Sequence, residues 1–215
     1  MEKKTILIQK IRESQLIEKE DEVAIEQQIP ISFLDGRQIQ VTCTPTYIEE
    51  MVLSRRFLAG DFTAEEKNMY VVSEHSPKTL MQVETEEIFR IAKDSFENPG
   101  PLFVDTGCAH SCALVQDGKV LCCIEDIGRH NALDKVIGYA LKHQISMANS
   151  YVFTSGRISK DYLQKAIAAG FPMVVSMDAV TDSAVELAKE KQVTLLGFIR
   201  KNTGNLYCEG SVKIR

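Results

Sequence analysis

The fold of this chain is decided by the stretch YVFTSGRISKDYLQKAIAAGFPMVVSMDAVTDSAVELAKEKQVTLLGFI, residues 151–199. Three short apolar runs in it predict buried strands, at 151–154, 173–176 and 194–199. The two segments between them, 159–169 and 182–191, carry apolar residues at helical spacing. Strands that alternate with helices in this way are typical of an α/β domain, with helices on both faces of a largely parallel sheet.

The rest of the chain divides at residues 98–101, Asn-Pro-Gly-Pro, a sequence that interrupts helices and strands alike. Before this break, a β-hairpin is predicted around Asp35-Gly36, together with two amphipathic helices. After it, residues 102–104 predict a strand, and two more strands flank Asp117-Gly118. We therefore predict an N-terminal α+β module, residues 1–98, and an α/β domain, residues 99–215.

The composition is that of a soluble globular protein. Of the 215 residues, 44% are hydrophobic and 26% are charged, and no apolar run approaches the roughly 20 residues of a membrane helix. The net charge of -5 argues against a general nucleic-acid-binding surface, which needs a basic excess. The first ten residues are interrupted by charge too soon for a secretory signal. We expect a cytoplasmic protein that has free thiols and binds neither nucleic acid nor a membrane.

The densest polar cluster is EDIGRHNALDK, residues 125–135, at a predicted change from strand to helix. The first turn of a helix has unpaired N–H groups and the positive end of the helix dipole, and both attract an anion. Gly128 permits close backbone approach, Arg129 and Lys135 can bind phosphate oxygens, and His130 can carry a proton. The alternative is a set of helix-capping residues and surface ion pairs.

A second change from strand to helix is FTSGRIS, residues 153–159, which offers hydroxyl groups, a glycine and Arg157. Taken alone, this pattern is equally typical of an ordinary helix cap at Ser159. Because ligands bind at the carboxyl ends of the strands in open α/β sheets, two such junctions are expected to share one crevice. We therefore predict that Arg129 and Arg157 lie at a common cavity, within one chain or across a dimer.

The third candidate is DTGCAHSC, residues 105–112, which is followed by Cys122-Cys123. Thiols and a histidine at this density can form a redox pair, a persulfide carrier or a metal site. The spacing does not match a common zinc finger, and a carrier cysteine needs solvent access and a lowered pKa. The catalytic candidates are therefore Cys108, Cys112 and His110. For Cys43, Cys122, Cys123 and Cys208 we favour buried, inert thiols.

The chain resembles the formate dehydrogenase accessory sulfurtransferases. The resemblance is carried by residues 125–135, by Ser155-Gly156-Arg157-Ile158-Ser159 and by TLLGFIR at 194–200 with Asn205-Leu206-Tyr207. It implies a three-layer α/β/α fold of the cytidine-deaminase type and a homodimer. It also implies that sulfur passes from a cysteine desulfurase to the molybdenum bis-molybdopterin guanine dinucleotide cofactor before formate dehydrogenase takes up that cofactor.

The resemblance also implies where this cofactor is held, with GDP as a mimic of its nucleotide part. By the family's pattern, the region includes the C-terminal stretch 198–203. The cofactor-binding residues predicted from the motifs and the resemblance together are Asp126, Gly128, Arg129, His130, Asn131, Asp134, Lys135, Ser155, Gly156, Arg157, Ser159, Phe198, Ile199, Arg200, Lys201, Asn202 and Thr203. No metal ligand is predicted.

The sequence departs from the family at the cysteines that usually hold the transferred sulfur. Family members carry a Cys-x-x-Cys pair ahead of a Thr-Gly-Gly-x-His segment, whereas residues 61–100 contain no cysteine and the segment reads TGCAH at 106–110. Three functions stay open. They are a sulfur carrier that uses Cys108 with Cys112 as resolving partner, a cofactor-binding chaperone without sulfur transfer, and a zinc-dependent deaminase-like hydrolase. The third lacks the His-x-Glu and Pro-Cys-x-x-Cys signature of zinc deaminases.

Overall fold

Residues 2–70 and 81–215 are described by the computed structural model. The chain starts with two β-hairpins, formed by β1 (Lys3–Arg12) with β2 (Gln15–Ala24) and by β3 (Gln27–Ser32) with β4 (Gln38–Cys43). The elements that follow are α1 (Ile48–Leu58), α2 (Ala64–Met69), β5 (Gln82–Val83), α3 (Thr85–Glu97) and α4 (Pro101–Thr106). No helix in this described part is both long and apolar enough to cross a membrane.

The remaining elements build the central sheet and its crossovers. They are β6 (His110–Gln116), β7 (Lys119–Asp126), α5 (Arg129–Lys142), a 3-10 turn (Met147–Asn149), β8 (Tyr151–Thr154), α6 (Lys160–Ala169), β9 (Met173–Ser176), α7 (Asp182–Lys191), β10 (Thr194–Arg200), β11 (Thr203–Cys208) and β12 (Lys213–Ile214).

The central sheet has the strand order β11-β10-β9-β8-β6-β7. Its middle strands β8, β9 and β10 are parallel, as the alternation over residues 151–199 predicts, and α6 and α7 are the crossovers. Strands β6, β7 and β11 are antiparallel to their neighbours, so the sheet is mixed rather than largely parallel. Asp117-Gly118 joins β6 to β7 with positive φ at both residues, the conformation that a two-residue hairpin turn needs. The predicted α/β class is confirmed, and the cytidine-deaminase relationship stays a prediction.

Both faces of the sheet are buried under helices. Cys112 and Leu114 of β6 pack in a cluster with α5, α6 and α7. The alternate residues Ala113 and Val115 pack in a second cluster with α3. Because successive side chains on a strand point to opposite faces, strands covered on both sides consist almost wholly of apolar residues. The result is a helix–sheet–helix sandwich with its crossover helices on one face.

Elements from before residue 98 take part in both helical layers. Helix α1 approaches α5 so closely at Gly138 that a Cβ there would lie 1.8 Å from the backbone oxygen of Glu50. On the other face, α3 contributes Ile88 and Ile91 to the second apolar cluster. The division into two modules at residue 98 stays a prediction.

Two sequence-based expectations differ from the structure. The strand predicted at 102–104 is wrong, because these residues lie in α4. Pro101 occupies the start of that helix and Gly107 ends it with φ of 66°, and these boundary signals outweigh three apolar residues that suit either structure. The β1–β2 hairpin was missed, since its turn, Glu13-Ser14, has positive φ without glycine or asparagine to announce it.

A buried ion pair connects α5 to the end of β7. Nζ of Lys135 lies 2.6 Å from Oδ2 of Asp126, and both side chains are fully buried. The N–H and Oγ1–H groups of Thr44 both donate to Oδ2 of Asp126, and each donor–acceptor distance is 3.1 Å. The other oxygen, Oδ1, accepts from the N–H of Gly128 and from Nδ2 of Asn131. A buried ion pair is tolerated only when further hydrogen bonds satisfy its remaining polar atoms. Both carboxylate oxygens of Asp126 have such hydrogen bonds.

We expect Lys135→Met to reduce the free energy of unfolding by about 3–5 kcal/mol, because it leaves the Asp126 carboxylate buried without its cation. Urea denaturation followed by circular dichroism measures this loss. The matched control is Lys93→Ala, which removes an exposed pair with Glu97 at 3.8 Å and should leave the midpoint unchanged. If both variants had the same midpoint, the buried pair would not have the importance that we assign to it.

Candidate functional site

Three segments meet where β8 ends. Gly156, two residues after the end of β8, lies so close to the start of α5 that a Cβ on it would be 3.0 Å from Cβ of Arg129. The same hypothetical Cβ of Gly156 would lie 3.3 Å from Nδ1 of His110, the first residue of β6. Arg157 follows with an exposed side chain, and the charges of both arginines act on His110. The structure therefore brings Arg129 and Arg157 to one rim, which we call the arginine rim, around His110.

Hydrogen bonds hold the β8–α6 turn in this position. Oγ of Ser155 accepts from the N–H of Ser111 at 2.9 Å, and Oγ1 of Thr154 accepts from the N–H of Gly156 at 3.1 Å. Oγ of Ser176, at the end of β9, donates to the backbone oxygen of Gly156 at 2.7 Å. The hydroxyl groups of this motif thus fix the backbone, and the cationic side chains are left to meet a ligand.

The surroundings of the His110 imidazole favour its neutral form, because its pKa is lowered. Burial lowers its pKa most, the positive charges of Arg129 and Arg157 lower it further, and Asp178 opposes them. A neutral ring can accept a proton from a neighbouring acid. Sequence reasoning missed Asp178, although it follows β9 in the same way that Arg157 follows β8 and belongs to the same sheet edge.

A cavity of about 270 Å³ lies beside this edge. Ser111 and Ser155 line one part of it, and Ala109, between Cys108 and His110, lines another. The remaining lining residues are Ser95, Pro99, Gly100, Phe103, Glu125 and Met177. The carboxylate of Glu125 is occupied, because it accepts the N–H groups of Leu102 and Phe103 at 2.9 and 3.0 Å. The segment that carries Cys108 therefore forms part of the cavity wall.

The cysteines differ sharply in access. Cys108 is exposed, two residues after the end of α4. Cys112 is completely buried, and this burial raises the pKa of its thiol. Its sulfur accepts a hydrogen bond from the hydroxyl group of Tyr162 at 3.6 Å. This position argues against Cys112 as a resolving thiol.

The other cysteines have no place at the arginine rim. Cys43 and Cys208 are buried, as the sequence favours. Burial raises the pKa of Cys122 to about 12. Cys123, by contrast, is exposed on the outer strand β7, and partial burial together with the nearby Glu125 carboxylate raises its pKa to about 11. At neutral pH the Cys122 and Cys123 groups are therefore thiols rather than thiolates.

Four residues predicted to bind the cofactor lie inside the protein instead. Asp126, Asn131 and Lys135 belong to the buried network beneath α5, where partners in the protein take up their polar groups. Asp134 is also fully buried, with Nε of Arg55 at 2.5 Å and Nζ of Lys165 at 2.6 Å. We therefore infer that these four side chains have a structural role and do not contact a ligand directly.

The C-terminal stretch lies at a different cavity. Residues 200–203 line a space of about 850 Å³ together with Phe89, Ala92, Lys93 and Glu97 of α3. The guanidinium of Arg200 lies over the ring of Phe198, 5.5 Å from its centre. Ile199 is 2% exposed and packs in the second apolar cluster, so its side chain is not available to a ligand.

The other predicted residues surround the two helix starts. Gly128 is the N-terminal cap of α5, and Ser159 is the half-buried cap of α6. His130 is half-buried, with its ring 5.5 Å from that of Tyr162. Sequence reasoning missed Arg55 and Lys165, because they come from other helices and no local pattern connects them with α5.

No metal-binding cluster is present in residues 2–70 and 81–215, where no three His, Cys, Asp or Glu side chains are placed to hold an ion. Cys108, His110 and Cys112 do not form one, since Cys112 faces the core under α6. The zinc-dependent alternative thus lacks a ligand set in that part of the chain.

Comparison with known sequences assigns the family. The sequence profile of the FdhD/NarQ family matches residues 59–213. The chain belongs to the FdhD/NarQ family. The matched region contains the arginine rim, the segment with Cys108 and the whole central sheet.

Relatives in this family match nearly the full length of the chain. Sulfur carrier protein FdhD of Bacillus subtilis is 30% identical, over 87% of this chain and 88% of the relative. Protein FdhD of Methanocaldococcus jannaschii is also 30% identical, over 96% and 97%. A crystal structure described as that of a formate dehydrogenase accessory protein from Desulfotalea psychrophila superimposes with a TM-score of 0.82, at 25% identity and 96% coverage of both chains. The mixed α/β architecture is therefore shared with a solved structure.

We expect His130 to make the protein less stable in mild acid. Burial lowers its pKa from 6.5 to about 4, and the charges of Lys165, Arg129 and Arg55 act in the same direction. The unfolded chain therefore binds a proton at a higher pH than the folded protein. The resulting stabilisation is present above the ordinary pKa and is lost as the pH falls from 6.5 towards 4.

Urea midpoints near neutral pH and at about pH 5 measure this effect. The difference between the two midpoints should be smaller in His130→Gln than in the unchanged protein, because the variant lacks this proton-binding group. An NMR titration of the ring in the folded protein should show a midpoint well below the ordinary value. A midpoint at the ordinary value would contradict the burial-based explanation.

Proposed function

We propose that this chain is a sulfur carrier in the maturation of formate dehydrogenase and that Cys108 holds the sulfur. One observation carries the proposal. The exposed Cys108 lies on the segment that forms a cavity wall and leads into His110 at the arginine rim. The names of its relatives, sulfur carrier protein FdhD and formate dehydrogenase accessory protein, support the same role.

The transfer step requires the Cys108 thiol to lose its proton. The neutral imidazole of His110, two residues along the chain, is the proposed acceptor of that proton. The thiolate then attacks the outer sulfur of a persulfide on a cysteine desulfurase. A new S–S bond forms at Cys108, the S–S bond of the desulfurase breaks, and the desulfurase cysteine leaves as a thiolate. The reaction moves one sulfur atom and needs no outside oxidant or reductant.

The arginine rim is the proposed binding site for the acceptor. Arg129 and Arg157 offer planar, charged donors that suit phosphate oxygens. Our proposed acceptor is the molybdenum bis-molybdopterin guanine dinucleotide cofactor, bound as cargo, with GDP as the test ligand for its nucleotide part. Cavity-lining Arg200 and Lys201 remain in the proposed cofactor region. The desulfurase partner, the homodimer and the cytoplasmic location also belong to this proposal.

The second candidate function is a cofactor-binding chaperone without sulfur transfer. Burial of Cys112 favours this alternative, because it leaves Cys108 without the neighbouring resolving thiol that the sequence suggested. Both candidates require the arginine rim. Only the sulfur carrier requires a reactive thiol at Cys108.

Sulfur loading should separate the two candidates. After incubation with a cysteine desulfurase and cysteine, we expect the intact mass of the chain to increase by one sulfur atom. Cys108→Ser should abolish the increase, because the attacking thiolate is lost. The matched control is Cys123→Ser, which removes the other exposed thiol and should load normally. An unmodified mass in the unchanged protein would favour the chaperone.

GDP binding should depend on the arginine rim. We expect Arg129→Ala and Arg157→Ala each to weaken binding roughly ten-fold in calorimetric titration, because each loses a charge-assisted hydrogen bond. The control is Lys191→Ala, which removes an exposed positive charge at the far end of α7 and should bind as before. Equal affinities in all four proteins would refute a nucleotide site at the arginine rim, whatever the result of sulfur loading.

A further inference from the structure

A second group of charged and polar side chains lies beside the arginine rim, where α1, α5 and α6 meet. We call it the Asp134 cluster, and it consists of Arg55 on α1, His130 and Asp134 on α5, and Lys165 on α6. Both oxygens of Asp134 are engaged, one by Nε of Arg55 at 2.5 Å and the other by Nζ of Lys165 at 2.6 Å. Asp134 is fully buried, whereas the side chains of Arg55 and Lys165 are 27% and 14% exposed.

The charges of this cluster do not balance. One carboxylate faces two cations, and the guanidinium of Arg129 lies near enough to act on His130 as well. The nearby Asp126 cannot compensate, because Lys135 already neutralises it at 2.6 Å. The first turn of α5 contains no acidic residue, and its dipole adds further positive potential. Asp161, on the first turn of α6, is the acidic group that opposes these charges at His130.

The positive excess is partly removed from water. Lys165 has a lowered pKa because burial disfavours its charge, and Asp134 only partly offsets this effect. Burial, and then the charges of Lys165, Arg129 and Arg55, lower the pKa of His130 to about 4, so the ring adds no positive charge near neutral pH. Two half-buried cations that share one carboxylate are only partly neutralised, and a bound anion would supply a further negative charge.

Arg55 also has donors to spare. Its Nε lies 2.5 Å from Oδ2 of Asp134 without the geometry of a hydrogen bond, and its two terminal NH₂ groups make no hydrogen bond to the residues that the structure describes. Since guanidinium is a planar fork that suits tetrahedral oxyanions, these groups are the natural point of attachment for phosphate. Lys165, held on the same carboxylate, supplies a second positive charge beside them.

We propose that Arg55 and Lys165, which both lie against the carboxylate of Asp134, bind a phosphate-like oxyanion at the junction of α1, α5 and α6. This oxyanion site shares no residue with the arginine rim, where Gly156 lies against Arg129 and His110. Its ligand is either a free oxyanion or a phosphate group of a nucleotide. The inference does not depend on sulfur transfer, and the two can fail separately.

Equilibrium dialysis with radiolabelled inorganic phosphate, at constant ionic strength, tests the site in the full chain. Arg55→Gln should weaken phosphate binding roughly ten-fold, because it removes a charge-assisted contact. Arg55→Lys keeps the positive charge but lacks the planar guanidinium. Its affinity for phosphate should lie between those of the unchanged protein and Arg55→Gln. The control is Lys191→Ala, which removes an exposed positive charge at the last residue of α7 and should bind inorganic phosphate as the unchanged protein does.

Asp134→Asn separates ligand binding from a purely structural role. Removing the carboxylate releases Arg55 and Lys165, so phosphate should bind at least as tightly as before. If the two cations served only to neutralise Asp134, phosphate binding would be the same in all Arg55 variants, and the proposal would be overturned. Loss of binding in Arg157→Ala with normal binding in Arg55→Gln would overturn it too, because phosphate would then bind at the arginine rim. Should Asp134→Asn fail to fold, the Arg55→Lys and Arg55→Gln pair decides alone.

A competition arm identifies the source of the oxyanion. Displacement of labelled phosphate by GDP in Arg157→Ala indicates a nucleotide phosphate group. Retention of the label in excess GDP indicates a free oxyanion. Both results support the oxyanion site, and they differ only in what occupies it.

Discussion

The buried pair of Asp126 and Lys135 is the interaction on which the candidate site depends. Asp126 ends β7 and Lys135 lies on α5, so the pair fixes the angle at which the helix leaves the sheet. Thr44, which directly follows β4, hydrogen-bonds to both members of the pair. It therefore connects the N-terminal part of the chain to the start of α5. With the helix held from below, the first residues of α5, Arg129 and His130, are directed to the edge of the sheet. A flexible start to α5 would leave these cations without a defined position.

The regular part of the fold was readable from the sequence because its strands and helices have clear periods. The strands at 151–154 and 173–176 and the helix at 182–191 have the same bounds in the structure as in the sequence-based prediction. Local patterns were insufficient for α4, since an apolar triplet suits a strand or a helix. They were also insufficient for the β1–β2 hairpin, whose turn lacks the usual residues.

The polar motif 125–135 shows a different limit of sequence reasoning. Its hydrogen-bonding residues divide between the surface and the interior, and only their partners determine which is which. Those partners are distant in sequence, since Thr44 lies 82 positions from Asp126 and 91 from Lys135. No local pattern indicates such contacts. The same limit hid the Asp134 cluster, which needs three helices to assemble. By contrast, the convergence of Arg129 and Arg157 follows from sheet topology and could be anticipated.

The reversed direction of β6 has a consequence for how this family can vary. Because β6 runs antiparallel to β8, its first residue lies at the edge where the parallel strands finish. The thiol-bearing loop therefore reaches the ligand edge from outside the crossover units and is no part of any β–α–β connection. A cysteine can be relocated along that loop, or moved to an earlier one, without disturbing the starts of α5 and α6. The proposed sulfur chemistry and the proposed anion binding can thus evolve as separate traits on one scaffold.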